Sequence, residues 1–497
     1  MEKKTFSDWQ QLAVQLKIEG RAFIDGTYRD AASGRRFDCV SPIDGKVLAA
    51  IADCGEADVD AAVAAARRAF DAQVWAGLNP RKRKAILLRW AALMREHLDE
   101  LSLLETLDAG KPIGDTTTVD VPGAAYCVEW FAEAIDKTGG EVVPADHHLV
   151  GLVTREPIGV VAAVVPWNFP ILMASWKFGP ALAAGNSVVL KPSEKSPLTA
   201  IRVAQLAHEA GIPAGVFNVV PGGGEPGKLL ALHRDVDCIA FTGSANVGKL
   251  IMQYAGQSNL KRVWLELGGK SPNIVMPDCP DLDRAANAAA SAIFYNMGEM
   301  CTAGSRLLVH RDIKDAFLER LVAAAHAYTP GHPLDPHTSM GAIVDQTQLD
   351  RVLGYIESGR SEAKLLLGGA RVNAIDGGFY VEPTIFDAGD GSARIAREEI
   401  FGPVLSVITF DSVDEAVSIA NASEYGLAAA VWTANLTTAH DVARRLRAGT
   451  VWVNCYDEGG DMNFPFGGYK QSGNGRDKSL HALEKYTELK STLVRLR

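Results

Sequence analysis

The sequence reads as an α/β protein: a doubly wound parallel sheet, a second α/β block behind it, and a small β arm. Three observations predict this. Between Ile158 and Leu267 short apolar runs (Val160 to Val165, Val188 to Leu190, Phe217 to Val220, Ile239 to Phe241, Val263 to Leu267) each give way to a helical stretch. That alternation is the signature of a parallel sheet whose strand ends form a nucleotide crevice. A second α/β pattern runs from Gly268 to about Asn454, after which the chain returns toward the first, so a ligand cleft between two domains is expected. The segment Glu141 to Glu156 alternates like an exposed hairpin, and the tail from Ser491 to Arg497 alternates too; strands this short need partners.

Taken in order, residues 1 to about 60 mix short alternating pieces with turn signals such as Asp25-Gly26 and Asp44-Gly45, which predicts small strands. A helical pattern begins at Glu56. Asn79-Pro80 opens the clearest helix, with proline in the first turn where its missing N–H costs nothing. Ile86, Trp90, Leu93, Met94, Leu98, Leu101 and Leu104 keep one face apolar as far as Gly110-Lys111-Pro112, a stripe best explained by core packing. Another helix is predicted from Val121 to Lys137, ending at Gly139-Gly140.

At 497 residues the chain is too long for one ordinary core, and its 47% hydrophobic and 22% charged content is that of a globular protein. A net charge of −10 argues against a nucleic-acid partner. The one basic cluster, Arg81-Lys82-Arg83-Lys84, opens a helix and reads as its solvated face. Seven scattered cysteines, without a C-x-x-C pair or histidines at metal spacing, fit reduced thiols in a cytoplasmic protein with no metal. The N-terminus has no apolar signal core and no apolar run is long enough to span a membrane.

Three motifs carry chemistry. In Tyr295-Asn296-Met297-Gly298-Glu299-Met300-Cys301-Thr302-Ala303-Gly304, small or polar neighbours leave the Cys301 sulfur open to a visitor, although a lone cysteine is more often a packed side chain. Glu266 ends an apolar strand pattern (Val263-Trp264-Leu265) before Gly268-Gly269, where apolar neighbours would raise its pKa and suit it to general-base work. Asn168, in Pro166-Trp167-Asn168-Phe169-Pro170, ends another strand with an amide that could donate to a developing oxyanion. A thiol, a carboxylate and an amide donor make a set for acyl chemistry. For phosphate binding two loops compete: Gly222-Gly223-Gly224-Glu225-Pro226-Gly227 matches G-x-G-x-x-G but carries a proline, whereas Phe241-Thr242-Gly243-Ser244 runs from a strand into a helix start.

These motifs, with Lys191-Pro192-Ser193-Glu194 and Glu398-Glu399-Ile400-Phe401-Gly402-Pro403, resemble the NAD(P)-dependent aldehyde dehydrogenase superfamily in order and spacing across essentially the whole chain. The tail Pro465-Phe466-Gly467-Gly468-Tyr469-Lys470-Gln471-Ser472-Gly473 is most similar to the gamma-glutamyl-gamma-aminobutyraldehyde and guanidinobutyraldehyde dehydrogenase group. The resemblance implies Cys301 as nucleophile, Glu266 as base, Asn168 with the Cys301 N–H as oxyanion hole, and Lys177 on a proton path. The usual Gly-Arg-Glu partner of that lysine is here Gly475-Arg476-Asp477. For the cofactor, NAD or NADP, it implies Trp167, Lys191, Ser193, Glu194, Thr242, Gly243, Ser244, Glu399 and Phe401, with Gly224 near the adenine. Phe169, Trp176 and Phe466 match an aromatic substrate tunnel, and the acidic loop at Asp457, Glu458 and Asp461 would sit at its mouth, faced by a helix near Asp120, Tyr126 and Glu129.

In the domain scheme this implies, residues 1–137 and 157–267 form the cofactor domain, 268–475 the catalytic domain, and 138–156 with 476–497 an oligomerisation arm of a tetramer built from dimers. The expected reaction is oxidation of an aldehyde to an acid through a cysteine thiohemiacetal and thioester. Amino-, guanidino- or gamma-glutamylamino-butyraldehydes are the expected substrates, with betaine aldehyde or general aliphatic aldehydes as the alternative. A CoA-acylating relative would not need Glu266, and a catalytically silent protein of the same fold would not need Cys301.

Overall fold

In the computed structural model, which describes residues 4–459 and 461–497, the strand and helix alternation closes into a seven-stranded sheet. Its central strands lie in the spatial order Arg262–Glu266, Cys238–Thr242, Val160–Val164, Ser187–Lys191, Phe217–Val219, all parallel. Strands Val160–Val164, Ser187–Lys191 and Cys238–Thr242 are buried at every residue, which is why they read as unbroken apolar runs. The chain lays down Val160–Val164 first, steps outward twice, then returns to its other side, so the strand order reverses between Val160–Val164 and Cys238–Thr242. A crevice outside the carboxyl ends of strands is the expected ligand position at such a reversal. Ala22–Ile24 and Thr27–Arg29 extend the far edge as an antiparallel pair.

A second seven-stranded sheet follows, ordered Lys364–Leu367, Thr384–Asp387, Val404–Phe410, Arg306–His310, Pro272–Val275, Ala428–Trp432, Thr450–Val453, with only the first strand antiparallel. Cys301 lies just before strand Arg306–His310, in the loop that leaves helix Leu282–Phe294. The segment around 466–477 then crosses back to the first sheet: Leu267 N donates to Ser472 O at 2.9 Å, and Phe466 and Asp477 exchange backbone bonds of 2.7 and 2.6 Å. A cleft between the sheets is thereby bounded by both.

The third sheet joins Glu141–Val143, Leu149–Pro157 and Thr487–Arg495, antiparallel throughout. Every residue of its outer strand beyond Thr487 is exposed, including Leu489, Leu493 and Val494. Within residues 476–486, which lead into this strand, Asp477 lines the cleft and bonds the buried Lys485, while Leu483 lies beside Gly139, Gly140, Thr154 and Arg155 near the arm.

The sequence reading differs from the structure in three elements. The first is a helix where strands were expected: Phe6–Gln15 is capped by Thr5, whose backbone N–H and hydroxyl both bond the Asp8 carboxylate at 2.7 Å, and it buries Trp9. Alternation around turns masked this short Thr-x-x-Asp capping box. The long apolar stripe is two helices, Pro80–Glu96 and Leu98–Ala109, broken at His97, because spacing alone continues through a kink that buries the same face on both sides. Helix Val121–Ala134 stops three residues early and is led by a wide turn at Thr116–Asp120.

Candidate active site

The parallel register fixes the first wall of the cleft. Thr242 pairs with Glu266 across neighbouring strands, and Val164 pairs with both Phe241 and Lys191, so four strand ends open onto one rim. Asn168, four residues past Val164, Glu266, and Cys301 from the opposite wall all line one cavity of about 170 Å³, together with Lys177's partner Asp477. The three sequence-predicted reacting groups are therefore together.

Asn168 is buried, and its Nδ2 donates to the Glu299 carbonyl at 2.8 Å, which occupies one of the two amide hydrogens. Glu266 is 4% exposed and neither carboxylate oxygen has a hydrogen-bond partner among the described residues. Burial raises its pKa well above the carboxylate range, and the nearby Asp477 charge adds to this against Lys177, Lys485 and Arg476. Gly467 roofs it; a Cβ there would lie 2.6 Å from Glu266 Oε1, so the glycine is needed for this close approach. Burial also pushes the Cys301 thiol up to about 12, with the negative charges of Glu266, Glu399 and Asp457 adding to the effect.

Lys177 is fully buried and its ammonium bonds Asp477, whose second oxygen bonds Lys485. The shorter acid in Gly475-Arg476-Asp477 thus reaches the lysine. Although burial opposes ionisation, the two ammonium groups hold Asp477 below the usual carboxylate range.

Pro166, Trp167, Thr242, Gly243 and Ser244 are shared with a wider cavity of about 690 Å³, within the ~300–1,000 Å³ typical of cofactor pockets. Lys191, Ser193, Glu194 and Gly224 line its far side. Its chemistry fits a dinucleotide on several independent observations. The Thr242 hydroxyl is buried without a hydrogen-bond partner among the described residues. Ser244 caps helix Ala245–Gln257, whose first N–H groups favour a phosphate. Lys191, buried enough to depress its pKa, holds Glu194 at only 3.5 Å, leaving the half-exposed carboxylate available to hydroxyl donors. Of the two rival loops, the 241–244 segment touches both cavities, while Gly224 touches only the wider one.

At the junction the Trp167 and Phe401 rings meet edge to face, with centroids 5.2 Å apart. Glu399 lines the narrow cavity and accepts from Gly269 N at 2.9 Å; a Cβ on Gly268 would lie 2.1 Å from its carboxylate, so only glycine admits it. Glu398 turns away to Tyr355 and Arg394, at 2.7 and 2.9 Å. Gln348 and Arg351 were missed by the sequence reading. From helix Gln346–Glu362 they line the cavity and bond the carbonyls of Glu399, Ile400 and Phe401, and Phe401 itself sits at φ +62. No motif marks a polar face that works through backbone carbonyls; an alignment signal would be needed.

Toward the substrate side, Trp176 and Phe466 line the cavity with their rings in edge contact, centroids 5.1 Å apart. Phe169 is not among the lining residues: it is buried, with Lys111 Nζ 3.5 Å from its ring centre. The Lys111 ammonium packs against this ring as a cation–π contact. Asp457 does not line the cavity either; it is exposed, and its charge is felt at Cys301 and Lys478. In the same loop Glu458 pairs with Arg284 at 3.1 Å, and Asp461 accepts from Tyr126 at 3.4 Å, so the helix does face the loop through Tyr126. Asp120 and Glu129 do not take part, being paired with Lys111 and Arg95. One trio with potential metal-binding atoms occurs among the described residues, Asp146, His147 and His148 on the exposed hairpin, outside the cleft. No helix among the described residues is long and apolar enough to cross a membrane.

Comparison with known proteins agrees with this geometry. Residues 28–492 match the model of the aldehyde dehydrogenase family. A crystal structure titled gamma-glutamyl-gamma-aminobutyraldehyde dehydrogenase from Burkholderia cenocepacia J2315 is 86% identical and covers 99% of this chain and 100% of that one, with a TM-score of 0.99. The P. syringae indole-3-acetaldehyde dehydrogenase AldA, solved in complex with NAD+, is 62% identical over 99% of this chain and 100% of that one, with a TM-score of 0.98. The Escherichia coli (strain K12) NADP/NAD-dependent aldehyde dehydrogenase PuuC is 54% identical over 98% of each chain. On this match, and on a cleft that brings a thiol, a buried carboxylate and a dinucleotide-shaped cavity together, the chain belongs to the aldehyde dehydrogenase family and oxidises aldehydes with NAD or NADP.

Proposed function

We propose that this enzyme acts on butyraldehydes with a polar or cationic ω-substituent: gamma-glutamylamino, amino or guanidino. The observation that carries the reaction chemistry is the single cavity lined by Cys301, Glu266 and Asn168. The Cys301 thiol gives up its proton to solvent, Sγ as the thiolate adds to the aldehyde carbon, and the C=O electron pair moves to oxygen, where the Asn168 amide and the Cys301 N–H receive it. A dinucleotide held by the wider cavity would supply the hydride acceptor for this carbon. Carbon is then a thioester on Cys301; Glu266 takes a proton from water as the water oxygen attacks, and the C–S bond breaks to release the acid. Lys177 and Asp477 carry that proton onward from Glu266. Lys191, Ser193 and Glu194 hold the adenosine ribose, Gly224 lies beside the adenine, Thr242, Gly243 and Ser244 meet the phosphates, and Glu399, Phe401 and Trp167 flank the nicotinamide end.

Glu194 favours NAD, because a carboxylate at the 2′-hydroxyl meets a 2′-phosphate as a like charge. Replacing it with Gln raises the NADP to NAD ratio of kcat/KM by about tenfold, ~1.4 kcal/mol. An unchanged ratio would place Glu194 elsewhere.

For the substrate, Trp176 and Phe466 take the methylene chain, and Asp457 stands at the mouth for a cationic tail. Phe169 acts behind the tunnel wall rather than in it. Similarity to the B. cenocepacia gamma-glutamyl-gamma-aminobutyraldehyde dehydrogenase supports this choice, while the P. syringae relative is an indole-3-acetaldehyde dehydrogenase, named for an uncharged aromatic aldehyde. A kcat/KM panel of ω-substituted butyraldehydes, plain butyraldehyde and indole-3-acetaldehyde decides it; the indole compound outperforming all of the ω-substituted ones would overturn the proposal. Asp457→Asn should raise KM for amino- and guanidinobutyraldehyde about two- to fivefold, the ~0.5–1 kcal/mol of an exposed ion pair, and spare butyraldehyde. Equal effects on both would make the loop a solvated surface.

The unpaired, leucine-bearing edge of strand Thr487–Arg495 supports pairing with another subunit in a tetramer built from dimers. Residues 1–137 with 157–267 and residues 268–475 serve as cofactor and catalytic units. Seven free thiols favour a cytoplasmic setting.

A further inference from the structure

We infer that Asn296 and Lys111 are positioning residues for Asn168, clamping it so that one amide hydrogen stays free for the substrate oxygen; the inference rests on the oxyanion role proposed for Asn168. Asn168 is held at both ends. Its side-chain Nδ2 donates to the Glu299 carbonyl at 2.8 Å, and its own backbone carbonyl accepts from Asn296 Nδ2 at 3.1 Å and Lys111 Nζ at 3.2 Å. Asn296 Nδ2 also reaches the Glu299 carbonyl at 3.1 Å, closing a ring of bonds through both carbonyls. Lys111 is fixed in turn by Asp120 at 2.8 Å and lies 3.5 Å from the Phe169 ring centre. All five polar residues are at most 5% exposed, which strengthens these bonds relative to exposed ones.

The geometry has a chemical consequence. A carboxamide nitrogen carries two hydrogens; binding one to a fixed carbonyl sets the amide plane and therefore the direction of the other. Fixing the peptide carbonyl as well prevents the backbone from swinging the side chain. The clamp also ties Asn168 to the nucleophile loop: Asn296 and Met297 are both left-handed (φ +48 and +55), Gly298 follows at φ +71, and Cys301 lies three residues on. Left-handed geometry in two successive non-glycine residues persists only where surrounding bonds hold it. The Glu299 carboxyl, accepting from Val344 N at 3.2 Å, pins the other end of this turn. Thiol and amide donor are thus held in mutual register by Asn296, a residue with no place on the cavity wall.

The test uses Asn296→Gly, which keeps a left-handed backbone and removes both donors, and Asn296→Asp, which keeps the shape and presents only acceptors. In the full-length enzyme the pre-steady-state rate of NADH formation should fall about 10- to 100-fold in both, the cost of misplacing a reacting group by roughly 1 Å. NAD affinity should stay near the parent value and both variants should remain folded, with a melting temperature lowered only by the loss of the buried hydrogen bonds. Lys111→Arg, which retains a donor, should keep most of the rate. In an Asn168→Ala background, Asn296→Gly should cost clearly less than it does in the parent, because the side-chain donor it orients is gone while its bonds to the residue-168 and Glu299 carbonyls remain to be lost. A parental rate in both Asn296 variants, or an equal further loss in the Asn168→Ala background, would overturn the clamp. Loss of NAD binding in both would do so too, in favour of a purely structural role. An undiminished rate in Asn168→Ala alone would instead overturn the oxyanion role beneath it.

Discussion

Cys301→Ala abolishes aldehyde oxidation, with kcat falling by more than about 10⁴-fold, while NAD binding persists. The size follows from the chemistry: removing a covalent nucleophile leaves only binding and oxyanion contacts, and such losses reach about 10⁶-fold in other enzymes. Cofactor affinity is spared because the groups assigned to the adenosine ribose and adenine (Lys191, Ser193, Glu194 and Gly224) line the wider cavity, which Cys301 does not, even though Glu399 and Phe401 share the narrow one with it. Titration of intrinsic fluorescence with NAD, alongside initial rates, checks both halves. Turnover within tenfold of the parent would move the nucleophile elsewhere. Burial, which pushes the thiol pKa up to about 12, makes the thiol rather than the thiolate the resting form that the variant deletes.

Glu266→Gln separates the two halves of the reaction. Only deacylation requires activation of water, so the first hydride transfer proceeds and NADH appears as a burst, followed by a steady state slowed by about 10²- to 10⁴-fold. The pH dependence has a definite sign. Glu266 works as the carboxylate, and burial raises its pKa, so the parent deacylation rate climbs with pH through a value well above the ordinary carboxylate range. Glutamine cannot titrate, and that limb disappears from the variant. Loss of the burst itself would mean that Glu266 is needed before the thioester forms.

The sequence was most legible where burial is total. Strands such as Val160–Val164 and Cys238–Thr242 have no solvent face, so their apolar runs stand out, and the residues at or just past their ends, Thr242 and Asn168, inherit a position on the cleft rim. Short local motifs likewise placed Cys301 and Glu266. The aromatic tunnel was only half legible, because Trp176 and Phe466 line the cavity while Phe169, equally apolar in sequence, turns to Lys111. Long-range pairing decides that, and Lys111 is 58 positions away with nothing local to announce it. Gln348, Arg351 and Asn296 were invisible for a related reason: each works by bonding backbone carbonyls, which every residue possesses. The break at His97 escaped because apolar spacing is preserved across a kink.

The most direct test of the covalent account is intact-protein mass spectrometry of the Glu266→Gln variant, quenched in acid after one turnover with butyraldehyde and NAD and then mapped by peptide. The account predicts a mass increase equal to one butyryl group, located on the peptide containing Cys301, accumulating in step with the NADH burst. Acylation mapped to another residue, or NADH formed with no adduct at any time, would contradict it.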